Sequence, residues 1–477
     1  MTKVRFPPSP TGPMHIGTAR TLLVNFLFAR GQNGKIVFRS EDTDRQRSTP
    51  EFEKEILDGI NWLGMDFDEG PFRQSERNEI YERHFEQLKK SGKIYPCFCT
   101  SAELTAEREE QKMKKLPPKY SGKCRELSAA EIQKFESEGR KPVWRFRVPD
   151  ERIEFDDLVR GEISEEGKNI ADFVIRKSDG QFLYHFTVVV DDADMVITHV
   201  IRGEDHISNT SKHILLFEAL GAPIPRFAHL PLLLNKDRSK MSKRDESGKP
   251  ATIERLKNDG YLPEAVVNFL ALLGWNPGEG SEQEFFSMEE LIREFDFRHV
   301  AKAGAVFDLE RLNFFNAHYL RQLSAEKLAE CVKPFLDFNI DDEAVLGKAV
   351  KLAAERMKFF GEAHDFLHYF FGEIEFETAL FENPKMKVDR AKARFALEQS
   401  LPILEGVKNW NAEEIQKKLR ELVENLGVKN GEILWPLRVA LTGEQFSPGV
   451  WEMADALGKE KSLARIRKGL DKLKKED

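Results

Sequence analysis

Residues 5–23 read RFPPSPTGPMHIGTARTLL: four prolines and two glycines around one histidine, running into apolar residues at helical spacing. Just before, KVRF (3–6) predicts a short strand. From Gly17 to Arg30 the apolar residues Ala19, Leu22, Leu23, Phe26 and Leu27 follow the i, i+3, i+4, i+7 rule. That spacing predicts an amphipathic helix, ended by Gly31. IVFR (36–39) predicts a second strand, with Glu41, Asp42 and Asp44 directly after it. Strand, loop, helix and strand in this order make a βαβ unit, which requires parallel strands. Ligands of such sheets bind beyond the carboxyl ends of the strands. The loop 7–17 and the acidic cluster 41–44 both fall there.

Working outward, the pattern recurs. VITHVI (196–201) predicts a strand ending at Arg202, followed by helical spacing to Leu220 and then Gly221 and Pro223. LPLLL (230–234) predicts an apolar strand leading into the polar loop NKDRSKMSKRD. The stretch from roughly 70 to 190 mixes a charged helix (about 102–115) with strand-like pieces such as VWRFRV. It reads as an insertion between two halves of one parallel sheet. Beyond about 320 helical periodicity dominates, and Leu463, Ile466, Leu470 and Leu473 form one stripe of a last helix with basic outer faces.

A chain of 477 residues exceeds one compact core, so two to four domains are expected. The net charge of −8 gives no global footprint of nucleic acid, although a local basic face can coexist with an acidic total. No uncharged apolar run approaches bilayer length. The N-terminus MTKVRFPPSP lacks the apolar core of a signal peptide, so a cytoplasmic location is expected. Of four cysteines, Cys97, Cys99 and Cys124 lie within 28 residues. In a cytosolic protein such a cluster points to metal before disulfide. Cys331 stands alone in a helical stretch and reads as a small core residue.

The chemistry-bearing residues can first be taken on physics. Gly12 and Gly17 let backbone approach a ligand, and the prolines fix the loop. The loop brings His15 to a helix start, where free N–H groups and the dipole favour phosphate. By itself this reads first as a tight strand–helix turn with a packed histidine. It is not a Walker loop, and no G-x-G-x-x-G follows a strand. KMSKR (240–244) adds Lys240, Lys243 and Arg244 in a polar loop after the second half-sheet. Charge that develops on a leaving pyrophosphate needs such cations. Arg5 and Arg202 both lie at carboxyl ends of predicted strands, and a carboxylate ligand calls for the planar fork of arginine. The alternative for each is an ordinary ion pair, with Asp42 or Asp205 as partner.

The pair His15-Ile16-Gly17-Thr18 and Lys240-Met241-Ser242-Lys243-Arg244 resembles the two signatures of class I aminoacyl-tRNA synthetases. Residues 5–30, RSEDTDRQRS (39–48), WLGMDFDEGPFRQSER (62–77), VVVDDADMVITHVIRGEDH (188–206) and PLLLNKDRSKMSKRD (231–245) resemble bacterial glutamyl-tRNA synthetases. The likeness continues through VFDLERLNFFNAHYL (306–320) and residues 434–466. Thr18 departs from the superfamily signature, which ends in histidine.

The resemblance implies an α/β fold: a class I synthetase Rossmann-type parallel sheet with an inserted acceptor-binding domain, followed by an all-α anticodon-binding region. The expected boundaries are 1–70 with 185–245 for the split catalytic domain, 71–184 for the insertion, 246–320 for a helical connecting domain and 321–477 for the anticodon-binding region. It also implies ATP-dependent activation of L-glutamate to glutamyl-adenylate and transfer to the 3′ end of tRNA(Glu), with tRNA(Gln) as a second candidate. ATP would be held by His15, Gly17, Thr18 and Lys243, with Lys240 and Arg244 assisting on the phosphates and Mg²⁺ accompanying ATP. Glutamate would be held by Arg5, Ser9, Tyr184, Arg202 and Glu41, the last taking the α-ammonium. Cys97, Cys99 and Cys124 would hold a structural Zn²⁺ with Tyr120 or Glu126 as fourth ligand, since tetrahedral zinc needs four. No membrane partner is expected, and the chain should act as a monomer. The rivals are a non-catalytic tRNA-binding paralogue, which should lose His15, Lys243 or Glu41, and a glutamyl-queuosine tRNA(Asp) synthetase, which lacks an anticodon-binding region. A glutaminyl enzyme is disfavoured because its C-terminal region is β-rich.

Overall fold

A computed structural model describes residues 1–44, 46–241, 248–249, 251–278 and 280–475. The chain forms two compact units, Met1–Arg255 with Val266–Asp308, and Leu256–Ala265 with Leu309–Asp477. The expected span 246–320 divides between them.

In the first unit, β1 (Lys3–Phe6) and β2 (Lys35–Ser40) pair in parallel, Lys3 opposite Lys35 and Phe6 opposite Phe38, across helix α1 (Ile16–Gly31). The opening βαβ unit is therefore present as read. Strand β3 (Glu69–Arg73) adds to β2 in parallel. Helix α1 differs from expectation: Arg20, Val24 and Asn25 are buried along with its apolar stripe. It is covered on both sides, because it lies on β1, β2 and β9 (His199–Gly203) and is also packed by the helix Met288–Glu294. An amphipathic reading assumes one wet face, and this helix has none.

The second half-sheet centres on β9 and β10 (Arg226–Leu230), parallel with His199 opposite Arg226 and Gly203 opposite Leu230. LPLLL is not one strand. Pro231 lacks the N–H a ladder needs, so β10 stops at Leu230 and a separate β11 (Leu233–Leu234) pairs with β12 (Ala305–Val306). The strand expected from Val196 begins only at His199, since Val196 sits at φ 56° after the helix Tyr184–Asp194. The halves meet where the Thr198 N–H donates to the Lys3 carbonyl at 2.9 Å and the Lys3 N–H donates to Thr198 Oγ1 at 2.8 Å.

Within 71–184, β4 (Ile94–Cys97), β5 (Val143–Phe146) and β8 (Val174–Arg176) form their own antiparallel sheet. Between them β6 (Arg152–Asp157) and its antiparallel partner β7 (Gly161–Glu166) return to the main sheet, where β6 meets β10 in parallel at Asp157 opposite Phe227. That return brings Asp157 beneath the site described below.

The second unit is helical, and among the described residues no strand follows Val306. Its core includes Leu320, Leu346, Phe370, Leu397, Leu419 and Leu437. The last helix, Lys459–Lys475, turns Leu463, Ile466, Leu470 and Leu473 into that core as its stripe requires. Cys331 lies half-buried on the helix Ala325–Val332 against the same core. Among the described residues no helix is long and apolar enough to cross a membrane.

Candidate active site

A cavity of about 480 Å³ opens at the carboxyl ends of β1, β9 and β10. Arg5, Ser9, His15, Gly17, Thr18, Glu41, Tyr184, Arg202 and Lys240 all line it, so every described amino-acid and phosphate candidate faces one space. Lys243 and Arg244 lie outside the described residues. The Pro-rich loop is tied to the acidic cluster: Ser9 Oγ donates to the Glu41 carbonyl at 2.9 Å, and the Glu41 N–H donates to the Pro8 carbonyl at 2.9 Å.

The two arginines differ in their surroundings. Arg5 pairs with Asp192, Nε to Oδ2 3.4 Å, and donates to the Ile201 carbonyl. Neither partner suggested by the sequence is used. Asp42 takes the Ser75 N–H and hydroxyl, and Asp205 pairs with Lys240 at 3.2 Å. Arg202 donates to His229 Nε2, to His213 Nδ1, to Thr210 Oγ1 and to the His206 carbonyl. Among the described residues no carboxylate pairs with it, although it is 6% exposed. Burial, with the Arg5 charge nearby, pushes its guanidinium down to about 10 against the pull of Asp192. A ligand carboxylate at this point would regain the lost charge balance.

Sequence reasoning missed what holds these groups. Adjacent Asp191 and Asp192, on the helix Tyr184–Asp194, clamp Arg39, Arg77 and Arg5, with Arg39 Nη1 to Asp192 Oδ1 at 2.7 Å and Arg77 Nε to Asp191 Oδ1 at 2.7 Å. Arg39 is fully buried and also reaches Glu41 Oε1 at 3.4 Å. Burial pushes the Glu41 carboxyl above its ordinary value, against the pull of Arg39 and Arg5. A carboxylate so placed gains from an arriving ammonium group. His206, which also lines the cavity, contacts the Tyr184 hydroxyl through Nδ1 at 3.3 Å.

On the phosphate side His15 is the cap of α1. Its Nδ1 accepts the Gly17 N–H at 3.0 Å. The neutral imidazole then carries its proton on Nε2, a donor at a helix N-terminus. Gly17 suits this arrangement because a Cβ there would stand 3.3 Å from His15 Nδ1. Tyr184 lines a second, polar cavity of about 1060 Å³ as well, together with Thr43, Arg47, Gln74, Asn78, Lys177 and Gln181. The two spaces share that one wall.

The thiols of Cys97, Cys99 and Cys124 lie within 4.8 Å of one another. The Tyr120 hydroxyl is 3.4 Å from Cys97 Sγ and 3.9 Å from Cys99 Sγ, and accepts the Cys124 N–H at 2.9 Å. Arg145 covers the Tyr120 ring at 3.9 Å. Glu126 instead binds Arg147 at 2.6 Å with its side chain 82% exposed. Three soft donors and one phenol oxygen fit a tetrahedral zinc set, and Glu126 does not join it.

Comparison with known proteins agrees over the whole length. The family model for the catalytic domain of class I tRNA synthetases (E and Q) matches residues 1–314, and an anticodon binding domain matches 327–470. The chain is 42% identical to a glutamate–tRNA ligase 2 of Thermoanaerobacter pseudethanolicus, over 99% of this chain and 98% of that protein. It is 44% identical to a glutamate–tRNA ligase of Heliobacterium modesticaldum, over 98% and 97%. A crystal structure of a glutamate tRNA ligase from Elizabethkingia meningosepticum, in complex with its amino acid, superposes with a TM-score of 0.87 at 34% identity, covering 99% of each chain.

Proposed function

The chain belongs to the class I tRNA synthetases of the glutamate and glutamine type, and we propose that it works as a glutamate–tRNA ligase whose chemistry takes place in the 480 Å³ cavity. One observation carries the residue assignment: a buried guanidinium with no carboxylate paired to it among the described residues, Arg202, and a candidate phosphate donor, His15 at a helix start, line the same space. Arg202, with Arg5 beside it, takes the side-chain carboxylate of glutamate; Glu41 takes the α-ammonium; Ser9 and Tyr184 complete that wall. His15, with the N–H groups at Gly17 and Thr18, and Lys240 hold the phosphates of ATP. Lys243 and Arg244 are expected to join them from the adjoining loop, and Mg²⁺ comes with the nucleotide through its phosphate oxygens.

An α-carboxylate oxygen attacks the α-phosphorus; the bond to the β-phosphate oxygen breaks, and pyrophosphate leaves with the electron pair. Such a step needs in-line positioning and cations on the leaving group more than covalent help from the protein. A terminal ribose hydroxyl of tRNA then attacks the acyl carbon, losing its proton, and AMP leaves. The second cavity, which meets the first at Tyr184, is the approach for that 3′ end, and the helical unit receives the anticodon. Both tRNA(Glu) and tRNA(Gln) are candidate acceptors. A monomer acting in the cytoplasm is the form and location proposed for tRNA charging. Cys97, Cys99, Cys124 and Tyr120 would hold zinc, which when bound ties down the segment carrying β4 and β5.

Glutamate-dependent exchange of labelled pyrophosphate into ATP, run with and without tRNA, tests the activation step. Exchange with glutamate and not with glutamine is expected; no exchange under either condition would overturn the assignment.

A further inference from the structure

Arg202 is held from behind by a buried series that runs through four elements. Asp157 ends β6, His229 lies on β10, Arg202 on β9 and His213 on the helix Ile207–Leu220. Their exposures are 2%, 0%, 6% and 2%. Asp157 Oδ2 lies 2.6 Å from His229 Nδ1, and His229 Nε2 is 3.2 Å from Arg202 Nε. Arg202 Nη1 is 3.2 Å from His213 Nδ1, whose Nε2 is 3.2 Å from His185 Nδ1.

Donor and acceptor capacity orients the protons of these rings, and Thr210 Oγ1 also lies 3.1 Å from His229 Nε2. An ionised carboxylate only accepts, so His229 carries its proton on Nδ1 and leaves the Nε2 lone pair for Arg202. A guanidinium only donates, so His213 Nδ1 is bare and its Nε2–H donates to His185. Protonating His213 a second time would aim an N–H at the guanidinium, and protonating His229 would set an N–H against Arg202 Nε with only Thr210 Oγ1 nearby to accept it. Burial and the nearby Arg202 charge also hold both imidazoles below their ordinary range. The remaining partners of Arg202, Thr210 Oγ1 at 2.8 Å and the His206 carbonyl at 3.3 Å, are uncharged too. Elsewhere in the same site arginines are fastened by carboxylates: Arg5 by Asp192, and Arg39 by Asp191, Asp192 and Glu41.

We propose that Asp157, His229 and His213 are positioning residues that hold the Arg202 guanidinium through neutral acceptors, so that its plane is fixed while, among the described residues, no direct carboxylate partner competes with the side-chain carboxylate of the bound amino acid. The inference rests on reading the cavity as a glutamate site. It assigns a cause to selection against glutamine: an amide in the same place leaves a buried cation without a counter-ion, whereas an arginine already paired with a protein carboxylate would separate the two amino acids poorly.

Asp157→Asn is the sharpest test. Asp157 Oδ1 accepts the N–H groups of Val159, Arg160 and His229 at 3.0, 2.9 and 3.2 Å, so the amide oxygen of the variant must take that place. Its NH₂ then faces His229 Nδ1 and drives the imidazole proton to Nε2, donor against donor at Arg202. We expect the KM for glutamate in pyrophosphate exchange to rise about 10-fold or more, with the KM for ATP and kcat at saturating glutamate within about 2-fold, because the lost contact is to the amino-acid side chain alone. The preference for glutamate over glutamine should fall in parallel. Loss of thermal stability with an unchanged KM for glutamate would reduce the series to a structural role and overturn the proposal.

Should the variant fail to fold, ¹⁵N-histidine spectra of the unmodified protein decide the matter. Neutral His229 protonated on Nδ1 and neutral His213 protonated on Nε2 at pH 7 are expected; either ring doubly protonated, or the opposite tautomer, overturns it. If the unmodified protein shows no glutamate-dependent exchange, the reading of the cavity falls and takes this role with it. If exchange is normal and only the KM or tautomer result fails, the positioning role alone is overturned.

Discussion

At the scale of single residues, Arg202 is the proposed selecting group, because among the described residues its direct hydrogen-bond partners are all uncharged. Arg202→Gln should lower kcat/KM for glutamate in exchange by roughly 100-fold, the worth of about 2–3 kcal/mol in charge-assisted hydrogen bonds. An effect below about 3-fold would remove Arg202 from the glutamate contact. The same burial has a consequence for stability. Burial, with Lys212 and Arg202 nearby, pushes His185 down to about 4, whereas the unfolded chain titrates near 6.5. Below 6.5 the unfolded state binds a proton that the folded state refuses, so this contribution is whole above pH 6.5 and is lost as pH falls toward 4. In full it amounts to about 3 kcal/mol. His185→Gln keeps an acceptor for His213 without the titration, and its unfolding free energy should fall less steeply between pH 6.5 and 4.5; an equal slope would contradict this. The sequence made Arg5 and Arg202 legible, because strand ends are visible in periodicity. Asp192, Asp157 and His229 were not: their partners lie far along the chain, and a buried carboxylate looks like a wet one until the strands are placed.

At the scale of elements, His15 does two jobs that can be separated. It caps α1 through Nδ1, it lines the cavity, and its proposed second job is to contact phosphate there. Asparagine is a good cap, so His15→Asn should keep helix stability while slowing exchange. His15→Ala should slow exchange and also cost about 1 kcal/mol, as cap removal does. Denaturant unfolding of the pair checks it, and full exchange activity in the asparagine variant would remove the phosphate role. The cysteine cluster is another element-scale device. Purified without chelator, the protein should contain about one zinc per chain by metal analysis, with Tyr120→Phe lowering occupancy and Glu126→Gln leaving it alone. Equal retention in both variants would contradict the choice of Tyr120. Three cysteines in 28 residues were plain in the sequence, but only the fold separates Tyr120 from Glu126, by turning Glu126 outward to Arg147. Helix α1 and LPLLL misled for local reasons. A helix covered on both sides loses its polar face, and Pro231 divides an apolar run that periodicity alone would keep whole.

At the scale of the whole molecule, the opening βαβ unit, the second half-sheet and the helical region after 320 were all legible, because each has a long and distinct period. The return of β6 to the main sheet was not, since ArgIleGluPheAspAsp (152–157) carries no sign of which strand it will join. That return supplies Asp157, so the hidden piece of topology is also the hidden piece of the site. On the proposed function, activation, transfer and acceptor binding all belong to one chain. Charging of purified tRNA(Glu) with labelled glutamate, glutamine being the control, tests this most directly. The account predicts glutamyl-tRNA from glutamate and ATP, with no product from glutamine. Failure to charge with glutamate, or equal charging with glutamine, would contradict it.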